Sequence, residues 1–218
     1  MNYRAVIFDL DGTLLNTIDD LTNSMNSVLC RLGLPTHDVE TYKTFVGDGI
    51  EMLVRRSMPE SLREDVLLGT RCLDAMRKEY QRRSTETTGP YEGIPELLDG
   101  LTARHIRMAV LSNKPDGPTK LLVANLLSQW RFEAVFGESA ITPRKPDPTG
   151  ALLIARNMGV LPHEFLYVGD SDIDMRTANA AGMFAVGALW GFRSADELLA
   201  GGADTLIQKP RDLLPFVS

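Results

Sequence analysis

The chain has 218 residues, enough for one sizeable core or for a core with a smaller companion unit. Hydrophobic residues make up 44% and charged residues 24%, ordinary globular usage that excludes disordered and fibrous architectures. With 23 Lys and Arg against 29 Asp and Glu the net charge is −6, so a general binder of nucleic acid or of an anionic membrane is not expected. Two cysteines, Cys30 and Cys72, fall in helical patterns without metal-ligand spacing, which excludes a structural zinc site and fits a reducing compartment. No apolar run approaches the roughly 18 residues of a membrane span. Met1-Asn2-Tyr3-Arg4 leads into only a short apolar run before Asp9, so no signal peptide is drawn and a cytoplasmic location is expected.

Taken in chain order, Ala5-Val6-Ile7-Phe8 is apolar, rich in β-branched and aromatic residues, and ends abruptly at Asp9, which predicts a buried parallel strand. From about residue 16 to about residue 90 the pattern turns wholly helical. Leu21, Met25, Val28, Leu29 and Leu32 recur at helical spacing until Gly33-Leu34-Pro35, and further helices are predicted over 49–58 and 61–83. Residues 85–93, with Gly89-Pro90, read as a return linker. Apolar runs at 108–111, 165–168 and 184–186 then predict more parallel strands. Between and after them Pro95 opens a helix over 94–104, Asp147-Pro148 offers a cap and a first-turn proline, and Ser194 with Glu197 has capping-box spacing. The expected fold is α/β, a doubly wound parallel sheet core over residues 1–15 and 91–218, with an inserted all-helical domain over 16–90.

Chemistry concentrates at the strand ends, where open α/β sheets bind ligands. Asp9 and Asp11 lie two apart, so a still-extended backbone would aim both toward one pocket, and Gly12-Thr13 adds a tight turn, a hydroxyl and an N–H for an anion. A second acidic cluster, Gly169-Asp170-Ser171-Asp172-Ile173-Asp174, follows a later strand. Several carboxylates at one sheet edge repel unless a cation neutralises them, and an oxygen-only set suits Mg²⁺. A calcium loop does not fit: counted from Asp170, Met175 stands where Gly is needed and Ala181 where Glu is needed. Ser112-Asn113-Lys114 and Arg144-Lys145-Pro146-Asp147 supply the complement, hydroxyl, amide and ammonium donors for a phosphoryl group, with Lys114 and Lys145 competing for the cationic role. No phosphate loop, dinucleotide fingerprint, zinc-protease motif or serine-hydrolase elbow occurs. His37, His105 and His163 are scattered and read as surface residues.

Asp9-Leu10-Asp11-Gly12-Thr13-Leu14, then Ser112-Asn113, Lys145-Pro146, and Gly169-Asp170-Ser171 with Asp174, resembles the four ordered motifs of the haloacid dehalogenase superfamily of phosphatases. The helical insertion resembles that superfamily's cap. The resemblance implies Asp9 as nucleophile forming an aspartyl-phosphate and Asp11 as acid and then base. It implies Mg²⁺ held by Asp9, the Asp11 carbonyl and Asp170 with Asp174 positioning the set, and phosphoryl binding by Ser112, Asn113 and Lys145, with Lys145 rather than Lys114 as the cation. An acid at position 11 argues against a dehalogenase. Within the superfamily, Val46-Gly47-Asp48-Gly49 with Leu53 and Arg55-Arg56, Ser112-Asn113-Lys114-Pro115 and Leu189-Trp190-Gly191-Phe192 are similar to phosphatases of 2-phosphoglycolate. Gly47 and Gly49 would then bring backbone N–H groups to a small substrate, and Arg55 or Arg56 would meet its carboxylate. Asp48 is expected to point away or cap the next helix, and Trp190-Gly191 to wall the pocket.

The alternatives are a β-phosphoglucomutase-like phosphotransferase, a phosphatase for another small phosphate ester or pyrophosphate, and a non-enzymatic phosphoacceptor module. The expected partner is a small phosphorylated metabolite, bound by a monomer or homodimer that engages neither nucleic acid nor membrane.

Overall fold

The computed structural model describes residues 3–217; Met1, Asn2 and Ser218, which belong to the ranges assigned to the core, lie outside the described residues. The chain divides into two compact units, Met1–Asn16 with Pro90–Ser218, and Thr17–Gly89.

Strand β1 (Ala5–Phe8) opens the first unit, and the chain leaves it through β2 (Leu15–Asn16). Four helices follow in the second unit: α1 (Ile18–Arg31), α2 (Val39–Phe45), α3 (Ile50–Ser57) and α4 (Val66–Arg83). The chain returns at β3 (Gly89–Pro90) and continues through α5 (Ile94–Ala103), β4 (Arg107–Pro115), α6 (Asp116–Leu126) and β5 (Phe132–Glu138). It ends with α7 (Thr149–Met158), β6 (Phe165–Gly169), α8 (Asp172–Ala181), β7 (Phe184–Ala188), α9 (Ala195–Ala200) and β8 (Thr205–Ile207). No helix among the described residues is long and apolar enough to cross a membrane.

The large sheet has the order β5-β4-β1-β6-β7-β8, and its neighbours pair in parallel. Strand alternation sorts the core into two layers. Val6, Phe8, Val110, Leu166, Val168 and Val186 face one way, with Leu97, Leu98 and Leu101 of α5 in the same cluster. Ala5, Ile7, Ala109, Leu111, Phe165, Tyr167 and Ala185 face the other, with Ala151 and Ile154 of α7 and Met175 and Ala178 of α8. The chain builds outward from β1 through β4 to β5, then returns to β1's other side for β6, β7 and β8. Strand order therefore reverses at β1, and the carboxyl ends of β4, β1 and β6 converge on one crevice.

Four strands were not expected: β2 and β3 are two residues each, Glu133 and Gly137 interrupt the apolar run of β5, and β8 is three residues long. In the helical unit α2 is additional, capped by Asp38, whose carboxylate accepts from the Thr41 N–H at 2.8 Å. The helix predicted over 61–83 is split: a short 3₁₀ turn covers Glu60–Leu62, and α4 restarts where the Asp65 side chain accepts from the Leu68 N–H at 2.9 Å. Asp20, in the first turn of α1, is buried and accepts from the N–H and hydroxyl groups of both Thr87 and Thr88, so the predicted linker is tied down rather than loose. His37 is also no plain surface residue. Its ring stands edge-on to Tyr42 and Phe45, and its Nε2 is 2.9 Å from the Ser57 carbonyl oxygen.

Candidate active site

Strand β1 ends at Phe8, and Asp9 follows it, hydrogen-bonded from its N–H to the Val168 carbonyl at 2.9 Å. The backbone then turns, the Leu10 carbonyl accepting from the Leu14 and Leu15 N–H groups at 3.0 and 2.9 Å. The two aspartates flanking the start of that turn take different partners. Asp9 joins Asp170 and Asp174 in a buried trio whose nearest oxygens lie within 4.8 Å of one another. Asp11 goes instead to Lys114, whose Nζ donates to Asp11 Oδ1 at 2.8 Å. The Asp11 side chain is outside the trio, leaving its main-chain carbonyl for the ligand role the resemblance assigns it.

Asp170 comes from the end of β6 and Asp174 from the first turn of α8. The capping box of that helix fixes Asp174: Ser171 N–H and Oγ donate to Asp174 Oδ2 at 3.1 and 2.5 Å. Lys145 bridges two of the three, donating to Asp9 Oδ1 at 2.7 Å and Asp174 Oδ1 at 2.6 Å, with its side chain only 4% exposed. Asp170 is held by the Phe192 N–H at 2.7 Å and by the Thr13 hydroxyl at 3.3 Å. Thr13 is thus a brace on a carboxylate in this structure, and the Trp190 indole N–H donates to the Thr13 carbonyl at 2.9 Å. Close approach explains the glycines beside these acids. Gly12 has φ +90°, and a Cβ there would sit 2.3 Å from Asp170 Oδ2.

Burial drives the electrostatics. It raises the Asp9 carboxyl well above the usual range; the Lys145 ammonium opposes that rise, and Asp174 and Asp170 add to it. Asp170 is pushed up to about 7, by burial first and then by Asp174, although the Phe192 N–H and the Arg193 charge pull it down. Burial alone would lower Lys145, but the Asp174 and Asp9 carboxylates outweigh it and hold the ammonium well above the ordinary lysine range. Three buried carboxylates around one ammonium, offering only oxygen donors, are the chemistry of a hard divalent cation site, and the residues fit Mg²⁺.

Ser112 and Asn113 lie toward the carboxyl end of β4. Ser112 is buried and its Oγ accepts from the Lys114 N–H at 3.2 Å. The Asn113 amide spans to the next loop, its Oδ1 accepting from Lys145 N–H at 2.7 Å and its Nδ2 donating to the Lys145 carbonyl at 3.2 Å. Asn113 therefore fixes the backbone that carries Lys145, a role the sequence does not reveal across 32 residues. Lys114 and Lys145 are both buried at the strand ends, Lys114 paired with Asp11 and Lys145 with Asp9 and Asp174.

Gly47, Gly49, Arg55 and Arg56 belong to the helical unit. Both glycines have positive φ, +122° and +84°, and Gly49 is the N-cap of α3, so Asp48 does not cap it. Asp48 instead pairs with Arg56, which also donates to the Phe45 carbonyl at 3.0 Å. Arg55 pairs with Glu64 at 2.6 Å in an exposed position.

Residues 6–188 match the model of the haloacid dehalogenase-like hydrolase family. A phosphoglycolate phosphatase of Pseudomonas putida is 33% identical over 97% of this chain and 79% of its own length. One from Aquifex aeolicus is 28% identical over 98% and 96%. A crystal structure of a candidate phosphoglycolate phosphatase from Lactobacillus delbrueckii subsp. bulgaricus superposes with a TM-score of 0.91 at 31% identity, covering 98% of each chain. With the parallel sheet, the helical insertion and the acids at the strand ends, these matches place the chain in the haloacid dehalogenase-like hydrolase family, as a phosphoric monoester hydrolase.

Proposed function

We propose that the chain is a Mg²⁺-dependent phosphatase of 2-phosphoglycolate that works through an aspartyl-phosphate on Asp9. The observation that carries this reading is the buried cluster of Asp9, Asp170, Asp174 and Lys145 at the strand ends, a costly arrangement that stability alone does not call for. Asp9 Oδ attacks phosphorus while Asp11, held by Lys114 at the edge of the same crevice, gives a proton to the departing oxygen. Asp11 then takes a proton from the water that attacks the aspartyl-phosphate, releasing inorganic phosphate and restoring Asp9. Ser112, the Asn113 backbone and Lys145 hold the phosphoryl oxygens, with Lys145 kept in place by the Asn113 amide. Asp9, Asp170 and the Asp11 carbonyl would hold Mg²⁺, with Asp174 positioning the set; the bound ion would neutralise charge on the carboxylates and the phosphoryl group.

The substrate reading is supported by relatives that bear the name phosphoglycolate phosphatase across nearly the whole chain. In the helical unit Arg56, braced by Asp48 and Phe45, is the arginine with the more fixed position for a substrate carboxylate. The test is a comparison of kcat/KM for 2-phosphoglycolate, glucose 1-phosphate and pyrophosphate, repeated in excess chelator. Preference for 2-phosphoglycolate and loss of activity with chelator are expected. A higher value for either rival overturns the substrate, and undiminished hydrolysis in chelator overturns the metal.

A further inference from the structure

Tyr167, in the middle of β6, is completely buried, and its hydroxyl completes no hydrogen bond of full geometry among the described residues. Such groups are rare, because an unmade hydrogen bond in the interior is costly. Its surroundings follow from the strand register. Ile7 pairs with Tyr167, and both face the layer that contains Phe165, so alternation from Ile7 sends Asp9 out of the same sheet face. Gly169, beyond Tyr167 on that face, leaves an opening: a Cβ there would lie 2.3 Å from Asp174 Cβ. Asp174 takes up this space, and the Lys145 ammonium bridges it to Asp9.

An ammonium has three N–H donors. Lys145 directs two of them to Asp9 and Asp174, and little water reaches its 4% exposed side chain. Burial pushes the Tyr167 hydroxyl up, and the Lys145 ammonium beside it pulls the other way by charge and hydrogen bonding, so the Tyr167 oxygen lies within reach of that ammonium. We propose that the Tyr167 hydroxyl is a positioning group for Lys145, accepting its third N–H and holding the ammonium in place while Asp9 bonds to phosphorus. Bond formation consumes the Asp9 charge, so the attraction toward Asp174 would otherwise draw the ammonium away from the phosphoryl oxygens. A neutral acceptor on the third side resists that displacement without adding charge to an already acidic pocket.

This inference rests on the reading that Lys145 serves the phosphoryl group, so the experiment carries Tyr167→Phe and Lys145→Ala side by side. Steady-state rates are measured with 2-phosphoglycolate and with p-nitrophenyl phosphate at saturating Mg²⁺, alongside thermal melts. Removing one hydrogen bond to a charged group predicts that Tyr167→Phe lowers kcat about tenfold, with KM within about twofold and a modestly lowered melting temperature. Wild-type kcat in Tyr167→Phe overturns the proposal while leaving the Lys145 reading intact if Lys145→Ala is crippled. A loss of kcat with a matching rise in KM for both substrates overturns it too, because the hydroxyl would then shape the site as a whole rather than hold the ammonium. Wild-type turnover in Lys145→Ala brings down both.

Discussion

The two units handle charge in opposite ways. In the helical unit most ion pairs lie at the surface and close in sequence or on adjacent helices: Arg55 with Glu64, Arg77 with Glu51, Lys43 with Glu40. Such pairs contribute about 0–1 kcal/mol each and tolerate replacement. In the sheet unit Asp9, Asp170, Asp174, Lys114 and Lys145 are buried at the ends of strands and loops far apart in sequence. Desolvation makes that arrangement expensive, and well-packed apolar residues would serve stability as well or better. The contrast teaches that the sheet unit retains buried charge for chemistry, whereas most charge in the helical unit keeps a helix surface solvated. Two carboxylates are exceptions there: Asp20, buried and held by Thr87 and Thr88, and Glu79, nearly buried and bound by Arg31, Arg82 and Arg83 at 3.0, 2.7 and 2.6 Å.

The comparison breaks first if the buried acids prove dispensable. Asp9→Asn is expected to reduce turnover to background while the protein still folds, measured by phosphate release and circular dichroism. Asp11→Asn keeps the nucleophile and removes the proton-transfer group, which predicts a loss of about 10²- to 10⁴-fold, largest for substrates with poor leaving groups. The lysines should rank next. Lys145→Ala is expected to cripple turnover, because it strips the ammonium from two carboxylates, whereas Lys114→Ala releases only the Asp11 pair and should cost about tenfold. The reverse ranking would reassign the phosphoryl-site cation.

Stability sharpens the contrast from the other side. The Arg83 and Arg82 hydrogen bonds hold the Glu79 carboxyl down to about 2, below its ordinary value of 4.5. A depressed carboxylate stabilises the folded state fully above its unfolded value and loses that contribution as pH falls toward the folded one. Thermal melts should therefore lose stability between about pH 4.5 and pH 2 more steeply in the wild type than in Glu79→Gln, which starts lower at neutral pH. Equal slopes would remove Glu79 from the account. Smallest of all, Arg55→Ala should change stability by no more than about 0.5 kcal/mol. Arg56→Ala is expected to raise KM for 2-phosphoglycolate and leave KM for p-nitrophenyl phosphate, which lacks the glycolate carboxylate, unchanged.

Much of this was legible in the residues because it is local. β1 and the turn after it are contiguous, the capping box of α9 is written in Ser194 and Glu197, and the helical spacing of Leu21, Met25, Val28 and Leu29 is regular. What escaped depends on partners distant in sequence or on short elements. The run of β5 is broken by Glu133 and Gly137, so its partner β4 decides its conformation. Ser112, Asn113 and Lys114 are legible as donors, but not the division of labour that sets Asn113 on the Lys145 backbone and Lys114 on Asp11. Tyr167 looks like ordinary strand core in sequence; only the register with Ile7 places it beneath Asp9.

The central claim is that Asp9 becomes covalently phosphorylated. Acid quench of a reaction with 2-phosphoglycolate in the first turnovers, reduction of the trapped acyl phosphate with borohydride and peptide mass analysis should find homoserine in place of aspartate at position 9. Conversion at Asp11 or Asp170 instead, or an unmodified Asp9 under conditions where phosphate is released, would contradict the account.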